Sequence, residues 1–391
     1  MFERVHPPCR RLMTKRLASV RDRYSILGAA RGRARLLAQP ARPWTTSPCG
    51  GAGYRSPVTT PISVLDLVPV PPGATAGEAI DHSIELARLA EELGYRRYWV
   101  AEHHNTPSFA SMATSVLIGV LARETSRIRV GSGGIMLPNH SPLKVAEDFL
   151  TLEAMHPGRI DLGLGRAPGT DQVTALALRR STELLAADDF PQQVEMLRAY
   201  AGESDFLAGH PLGKVSAALP GARLPPLWIL GSSTYGAQFA AQTGRGYSFA
   251  FHFSPDAAVP ALRAYREGFR PSDELAEPYA ILGVSVVCAD TVERAEVLAR
   301  AHDLLWLRIR RNERLPLPTP DEAAAYRFTA EEKAQAQASR RMLVSGTPDQ
   351  VRKRLLALKD ELAVDEFIVT SHIATHEERL ASYRLLAEAM A

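Results

Sequence analysis

The chain has 391 residues, of which 46% are hydrophobic and 23% charged, a composition that suits a globular protein of one large domain or two average ones. No apolar run reaches the ~18 to 20 residues that a membrane-crossing helix needs, so no transmembrane segment is expected. The net charge of +3 is unevenly placed: residues 1–57 hold 12 of the 46 Lys and Arg but only 2 of the 43 acidic residues, a local charge of +10 that leaves the rest at −7 and argues against nucleic-acid binding by the body.

Cysteine follows the same division. Cys9 and Cys49 lie in the basic segment and Cys288 stands alone in the body. A disulfide framework is therefore not expected, which fits a reducing, cytoplasmic setting. Residues 1–60 are rich in Arg, Ala, Pro and Gly and show no sustained period, so they are expected to be a disordered extension preceding a single domain over 61–391. Three readings apply to it: a targeting peptide, a basic arm for a polyanion, or a stretch upstream of the true start of translation.

The body begins with an apolar strand, Ile62 to Val68, broken by Pro69, Pro71, Pro72 and Gly73. From Glu78 to Leu93, Ile80, Ile84, Ala87 and Leu93 give a helical stripe, with Gly94 as its C-cap. A second strand, Arg97 to Ala101, runs into Glu102-His103-His104-Asn105. A helix over 111–124, a third strand Ile128 to Gly133, a helix over 142–155 and a fourth strand Ile160 to Gly165 follow. Helical stretches near 173–186 and 190–201 lead to an irregular excursion over 203–226. Leu227 to Leu230 is the fifth strand, Gly246 to Phe251 the sixth, Tyr279 to Cys288 the seventh and Glu366 to Thr370 the eighth, with helices to about Gln242 and over 256–268, 347–362 and 376–390. Residues 304–340 are charged and irregular. Eight strands alternating with helices predict an α/β fold, a (β/α)8 TIM barrel with an excursion before strand 5 and a lid-like insertion after strand 7. A doubly wound sheet has the same strand count and is the rival.

Candidate chemistry collects at the carboxyl ends of these strands, where parallel α/β folds bind ligands. Adjacent histidines in a strand point to opposite sides, so one of His103 and His104 is expected to face a ligand. The alternative is one surface and one core histidine. His140, His156 and His252 follow no metal spacing such as HExxH, so no metal site is expected. Gly133-Gly134 would let a flat ligand approach the third strand, or make a tight turn. Arg166 could meet a phosphate, or an ion partner such as Asp171 or Glu102. Ser232 and Ser233, in Gly231-Ser232-Ser233-Thr234-Tyr235-Gly236, open a helix whose free N–H groups suit an anion, although an ordinary serine N-cap has the same sequence. The mouth is expected to carry Phe109, Met112, Asn139, Phe251 and His252.

Taken in order, WVAEHHN, RVGSGGIMLPNHSPLKVAEDF, GRIDLGLGRAPGTD and ILGSSTYGAQFAAQTG resemble the flavin-dependent luciferase-like monooxygenase family, in particular its non-luminescent bacterial members. The resemblance covers roughly residues 62–390. It implies a (β/α)8 barrel that binds reduced FMN delivered by a separate flavin reductase, or the deazaflavin F420 in some relatives, and commonly a homodimer. It implies an acid–base role for His103 beside the flavin, a non-prolyl cis-peptide bulge at Gly133-Gly134, and a flavin phosphate site at Arg166, Ser233 and Gly236 with Ser232 adjacent. It also implies a mobile lid at 304–340. Gly165 stands where the light-emitting enzymes have a reactive cysteine, and Ser141 where they have a histidine, with His140 displaced by one. Both departures speak against luminescence. The expectation is an FMN-dependent two-component monooxygenase acting on a small organic substrate. An F420-dependent oxidoreductase and a non-catalytic flavin-binding protein on the same barrel are the alternatives.

Overall fold

The computed structural model describes residues 60–391, so the expectations for the basic N-terminal segment lie outside the described residues. Eight strands form the barrel: β1 (Ile62–Asp66), β2 (Arg97–Val100), β3 (Arg129–Ser132), β4 (Ile160–Gly165), β5 (Leu227–Gly231), β6 (Gly246–Ala250), β7 (Ala280–Cys288) and β8 (Glu366–Thr370). Neighbours in the chain pair in parallel, and β8 pairs with both β7 and β1. That closing pair decides for a (β/α)8 barrel over the doubly wound sheet. Two short strands are additional to it: Ile135–Met136 pairs with the end of β4, and Leu343–Gly346 with the end of β7.

The first helix, Ala76–Glu92, starts at a capping box in which the Thr75 hydroxyl accepts from Glu78 N–H and the Glu78 carboxylate accepts from Thr75 N–H. Its buried face is Ala79, Ser83, Leu86, Ala87 and Ala90, while Ile80 and Ile84 are only half-buried. Small residues face the strands because helix and sheet approach closely, and the branched side chains fill the flanks.

Three stretches depart from the sequence expectation. The helix near 173–186 is divided at Arg180, whose φ of 69° is left-handed, into Gln172–Arg179 and Thr182–Ala186. The excursion over 203–226 packs on the barrel flank through buried Leu207, Ala217 and Leu224. The region from 304 is largely helical: Val292–Arg310 is one 19-residue helix, followed by Pro320–Ala325 and Ala330–Ser339. Val292–Arg310 buries Leu298, Ala299, Ala301, Leu304, Leu305 and Leu307. These surround more than one face, which obscures the single-stripe period.

The amino-terminal end of the barrel is filled by charge. Arg97 on β2, 2% exposed, donates from Nε to Glu366 of β8 at 2.7 Å and from an Nη to Asp161 of β4 at 2.9 Å. Ser63 Oγ donates to Glu366, Trp99 Nε1 to Asp161 at 3.0 Å, and Tyr279 Oη to Glu366 at 2.8 Å. The guanidinium also lies 4.6 Å from the Trp228 ring centroid. Burial alone would raise the pKa of Asp161, but Arg129 and Arg97 outweigh it and hold it at about 2. Arg97→Leu strands Glu366 without its main counter-charge and is expected to cost about 3–5 kcal/mol of stability, measured by urea unfolding at neutral pH. A loss within the ordinary surface range of about 0.5 kcal/mol would contradict this account of the plug.

Candidate active site

All eight strands send their carboxyl-end loops around one cavity of about 600 Å³. It is lined by Leu67 after β1, His103 after β2, Gly133 after β3, Arg166 after β4, Ser232, Ser233 and Gly236 after β5, His252 after β6, and His372 after β8. Leu305 to Leu315, in the connection after β7, crosses it. Of the residues assigned in the sequence to the flavin site, only Gly134 is absent from the lining.

At the end of β2 the chain leaves the sheet at Ala101, so the alternation expected of His103 and His104 does not apply, and both histidines line the cavity. Glu102 is buried and accepts hydrogen bonds from His104 Nε2 at 2.9 Å, from His140 Nε2 at 2.9 Å and from Met136 N–H at 3.0 Å. Burial would raise the pKa of its carboxyl; these bonds outweigh burial and bring it to about 2. His104 is thereby committed to Glu102. The ring of His103 lies 5.4 Å from that of Phe109, and its Nδ1 is buried without a partner among the described residues. Desolvation lowers its pKa to about 4. His103 is neutral at pH 7.

The peptide between Gly133 and Gly134 is cis. A Cβ on Gly134 would come within 2.7 Å of the Gly163 carbonyl oxygen, and one on Gly133 within 2.5 Å of Leu65 Cδ1. The backbone of β4 therefore requires glycine at Gly134 whatever the ligand, whereas a side chain at Gly133 would have to displace the end of Leu65. Ser132 Oγ bridges the interruption, accepting from Gly163 N–H at 2.9 Å and donating to Gly163 O at 2.8 Å.

Opposite lies an anion-friendly corner. Ser233 is the N-cap residue of the helix Thr234–Gln242, yet its side chain makes no capping hydrogen bond. The first-turn N–H groups have no intrahelical acceptor, and the helix dipole adds positive potential there. Arg166 stacks over Tyr235 with its guanidinium carbon 4.1 Å from the ring centroid. Its ion partner is the exposed Asp188 at 3.3 Å, in place of Asp171 or Glu102. A cation, two hydroxyls and a helix start fit a phosphate group.

Of the side chains expected at the mouth, Phe109 and His252 line the cavity. Met112 is 55% exposed elsewhere, Asn139 is buried against Glu102 and the Pro168 carbonyl, and Phe251 belongs to the main core, with Phe253 lining in its place. The sequence reading missed His372, which follows β8 as His103 follows β2. Among the described residues no three His, Cys, Asp or Glu side chains are grouped as metal ligands, and no helix is long and apolar enough to cross a membrane. The crossing segment is tied down at both sides: Arg314 reaches Asp171 and Asn105, each at 3.2 Å, and Ser108 Oγ donates to the Leu315 carbonyl at 2.6 Å.

A family model described as luciferase-like monooxygenase matches residues 60–366. The chain is 47% identical over 330 residues to the uncharacterised protein YvbT of Bacillus subtilis strain 168, covering 84% of this chain and 96% of that one. It is 44% identical over 329 residues to a luciferase-like monooxygenase of Escherichia coli strain K12, with coverage of 84% and 96%. Among solved structures, apo-MsnO8 superposes with a TM-score of 0.73 at 39% identity, covering 85% of this chain and 97% of that one.

The depressed histidines give the stability a pH dependence of defined sign. Below about pH 6.5 the unfolded chain protonates His103 and His252, whereas the folded protein does not until about pH 4. The unfolded state binds more protons in that window, so stability is lost as the pH is lowered, by about 1.4 kcal/mol per pH unit for each histidine. Glu102 adds nothing there, because its contribution is complete above its unfolded pKa of 4.5 and is lost only as pH falls toward about 2. Urea unfolding at pH 7 and pH 5 is expected to show the decline, and His252→Asn to make it shallower.

Proposed function

We propose an activity on the premise that the chain belongs to the luciferase-like monooxygenase family, and infer that it is a two-component FMN-dependent monooxygenase acting on a small organic substrate. The observation that carries this reading is the polarity of the single cavity at the barrel mouth. Anion donors stand over β4 and β5, with Arg166 paired to the exposed Asp188 at the rim, and a neutral imidazole whose Nδ1 has no partner among the described residues stands over β2. A flat, phosphorylated ligand spans such a site. Bound reduced FMN would supply the electrons that activate O2.

The remaining roles belong to the chain. Arg166, Ser232, Ser233 and the backbone of Gly236 hold the phosphate, the arginine by a charge-assisted bond and the helix start by its N–H groups. Gly133 forms the wall against the ring, with Gly134 behind it. His103, neutral at working pH, holds or accepts a proton at Nδ1, the buried atom that the fold leaves without a partner. The segment from Leu305 to Leu315 excludes water while latched by Ser108, Asp171 and Asn105. The reading includes a separate flavin reductase, a cytoplasmic setting and a homodimer.

The test is oxygen uptake by the full chain supplied with enzymatically reduced FMN. Uptake above that of free reduced FMN is expected, and Arg166→Ala is expected to weaken FMN binding about tenfold. His103→Ala should leave FMN affinity within about twofold while slowing turnover by about 10²- to 10⁴-fold. Trypsin cleavage near Arg311 and Arg314 should slow when FMN is bound; cleavage indifferent to FMN counts against the lid. If reduced FMN binds no better than to an unrelated protein and no oxygen is consumed, the reading fails. Anaerobic turnover with reduced F420 is then the next assay.

A further inference from the structure

The side of the cavity over β6, β7 and β8 is left unexplained by the flavin reading, and His252 is its best-defined polar group. The residue is 5% exposed. Its backbone N–H donates to the Gly283 carbonyl at 3.1 Å, and its Nδ1 lies 2.8 Å from the same oxygen. A carbonyl oxygen only accepts, so Nδ1 carries the proton. Burial lowers the pKa to about 4, so the ring is neutral and Nε2 holds a bare lone pair. Nε2 has no partner among the described residues, and the ring lines the cavity.

The position of the ring depends on β7. A Cβ on Gly283 would approach His252 Cε1 to 3.0 Å and Nδ1 to 3.2 Å, so this glycine makes room for the imidazole. Phe253 packs against the other side of His252, with ring centroids 4.3 Å apart, and in turn meets Trp306 at 5.9 Å. Orientation, tautomer and location are thus all fixed before any ligand arrives. His372 and His103, both of lowered pKa, are the other imidazoles lining the cavity besides His104, which is committed to Glu102. The charged groups of the lining are each paired: Arg166 with Asp188, Arg308 with Glu322, Arg314 with Asp171, and Glu313 with Arg311. An anion placed among the imidazoles would be desolvated without a cation.

We propose that His252 anchors the substrate, its Nε2 accepting a hydrogen bond from an amide N–H or a hydroxyl of an uncharged molecule seated beneath the helix Val292–Arg310. The assignment rests on the reading above in that the flavin occupies the β3 to β5 side. An apolar body suits Leu305, Ile309, Trp306 and Phe253, and the donor group meets Nε2. A substrate lacking that donor leaves a buried acceptor unmet, which is where the specificity arises.

The probes are hexanamide, N,N-dimethylhexanamide and hexanoate, titrated calorimetrically into the full chain with saturating oxidised FMN. Wild type is expected to bind hexanamide about tenfold more tightly than the dimethyl analogue, and hexanoate more weakly than either. His252→Phe should bind the two amides within about twofold of each other. Gly283→Ala, which displaces the ring while keeping the imidazole, should do the same, and circular dichroism checks that both variants fold. Long-range 1H–15N spectra should report the Nδ1–H form of His252, with its Nε2 signal moving on addition of hexanamide. A wild type that does not discriminate the two amides, including by binding neither, overturns the proposal, as does discrimination that survives in His252→Phe. No turnover is measured, so oxygen uptake and substrate anchoring can fail separately.

Discussion

The buried cluster of Arg97, Asp161 and Glu366 is the interaction on which the rest of the molecule depends. It joins β2, β4 and β8 across the barrel axis, so Arg97 meets both carboxylates only when the three strands hold their register, and Arg129 of β3 adds a second cation at Asp161. A slip of one residue along any of them would turn a charge outward and leave its partner alone in an apolar interior. Trp99, Trp228 and Tyr279 surround the guanidinium and seal that end. Because the plug fills the amino-terminal half, the cavity of the barrel lies at the carboxyl ends, where eight loops meet.

Those loops divide the volume electrically. Over β4 and β5 stand a guanidinium, two hydroxyls and a helix start, all facing a place for negative charge. Over β2, β6 and β8 stand neutral imidazoles among aromatic rings. The division follows from burial: the imidazoles lie deep enough to be desolvated, whereas Arg166 sits at the rim with its side chain 48% exposed. Glu102, although buried and ionised, does not disturb this pattern, since His104, His140 and Met136 N–H consume its oxygens.

How much of this is legible in the sequence depends on how local its cause is. Strands such as Ile160 to Gly165 and the run Gly231 to Gly236 declare themselves by apolar runs ending in glycine and serine, and their places agree with the structure. The closure of β8 on β1 is a contact between chain ends about 300 residues apart, and no local pattern records it. Arg97 reads as one polar residue in a strand; its partners are 64 and 269 positions away. The helix Val292–Arg310 escapes notice because it is buried on several faces, and its arginines resemble a solvated loop. His372 gives a weak signal, a histidine two residues past a strand, which becomes informative only once the barrel sets it beside His103 and His252.

The tether at Ser108 has an evolutionary side. Its hydroxyl grips the main-chain carbonyl of Leu315. Any residue at that place in the crossing segment offers the same carbonyl. Side chains that overhang the chamber can therefore be exchanged without undoing this tether, Arg314 alone being needed for the second one. A change of side chain in that stretch would alter the roof of the chamber while leaving the barrel beneath it as it is.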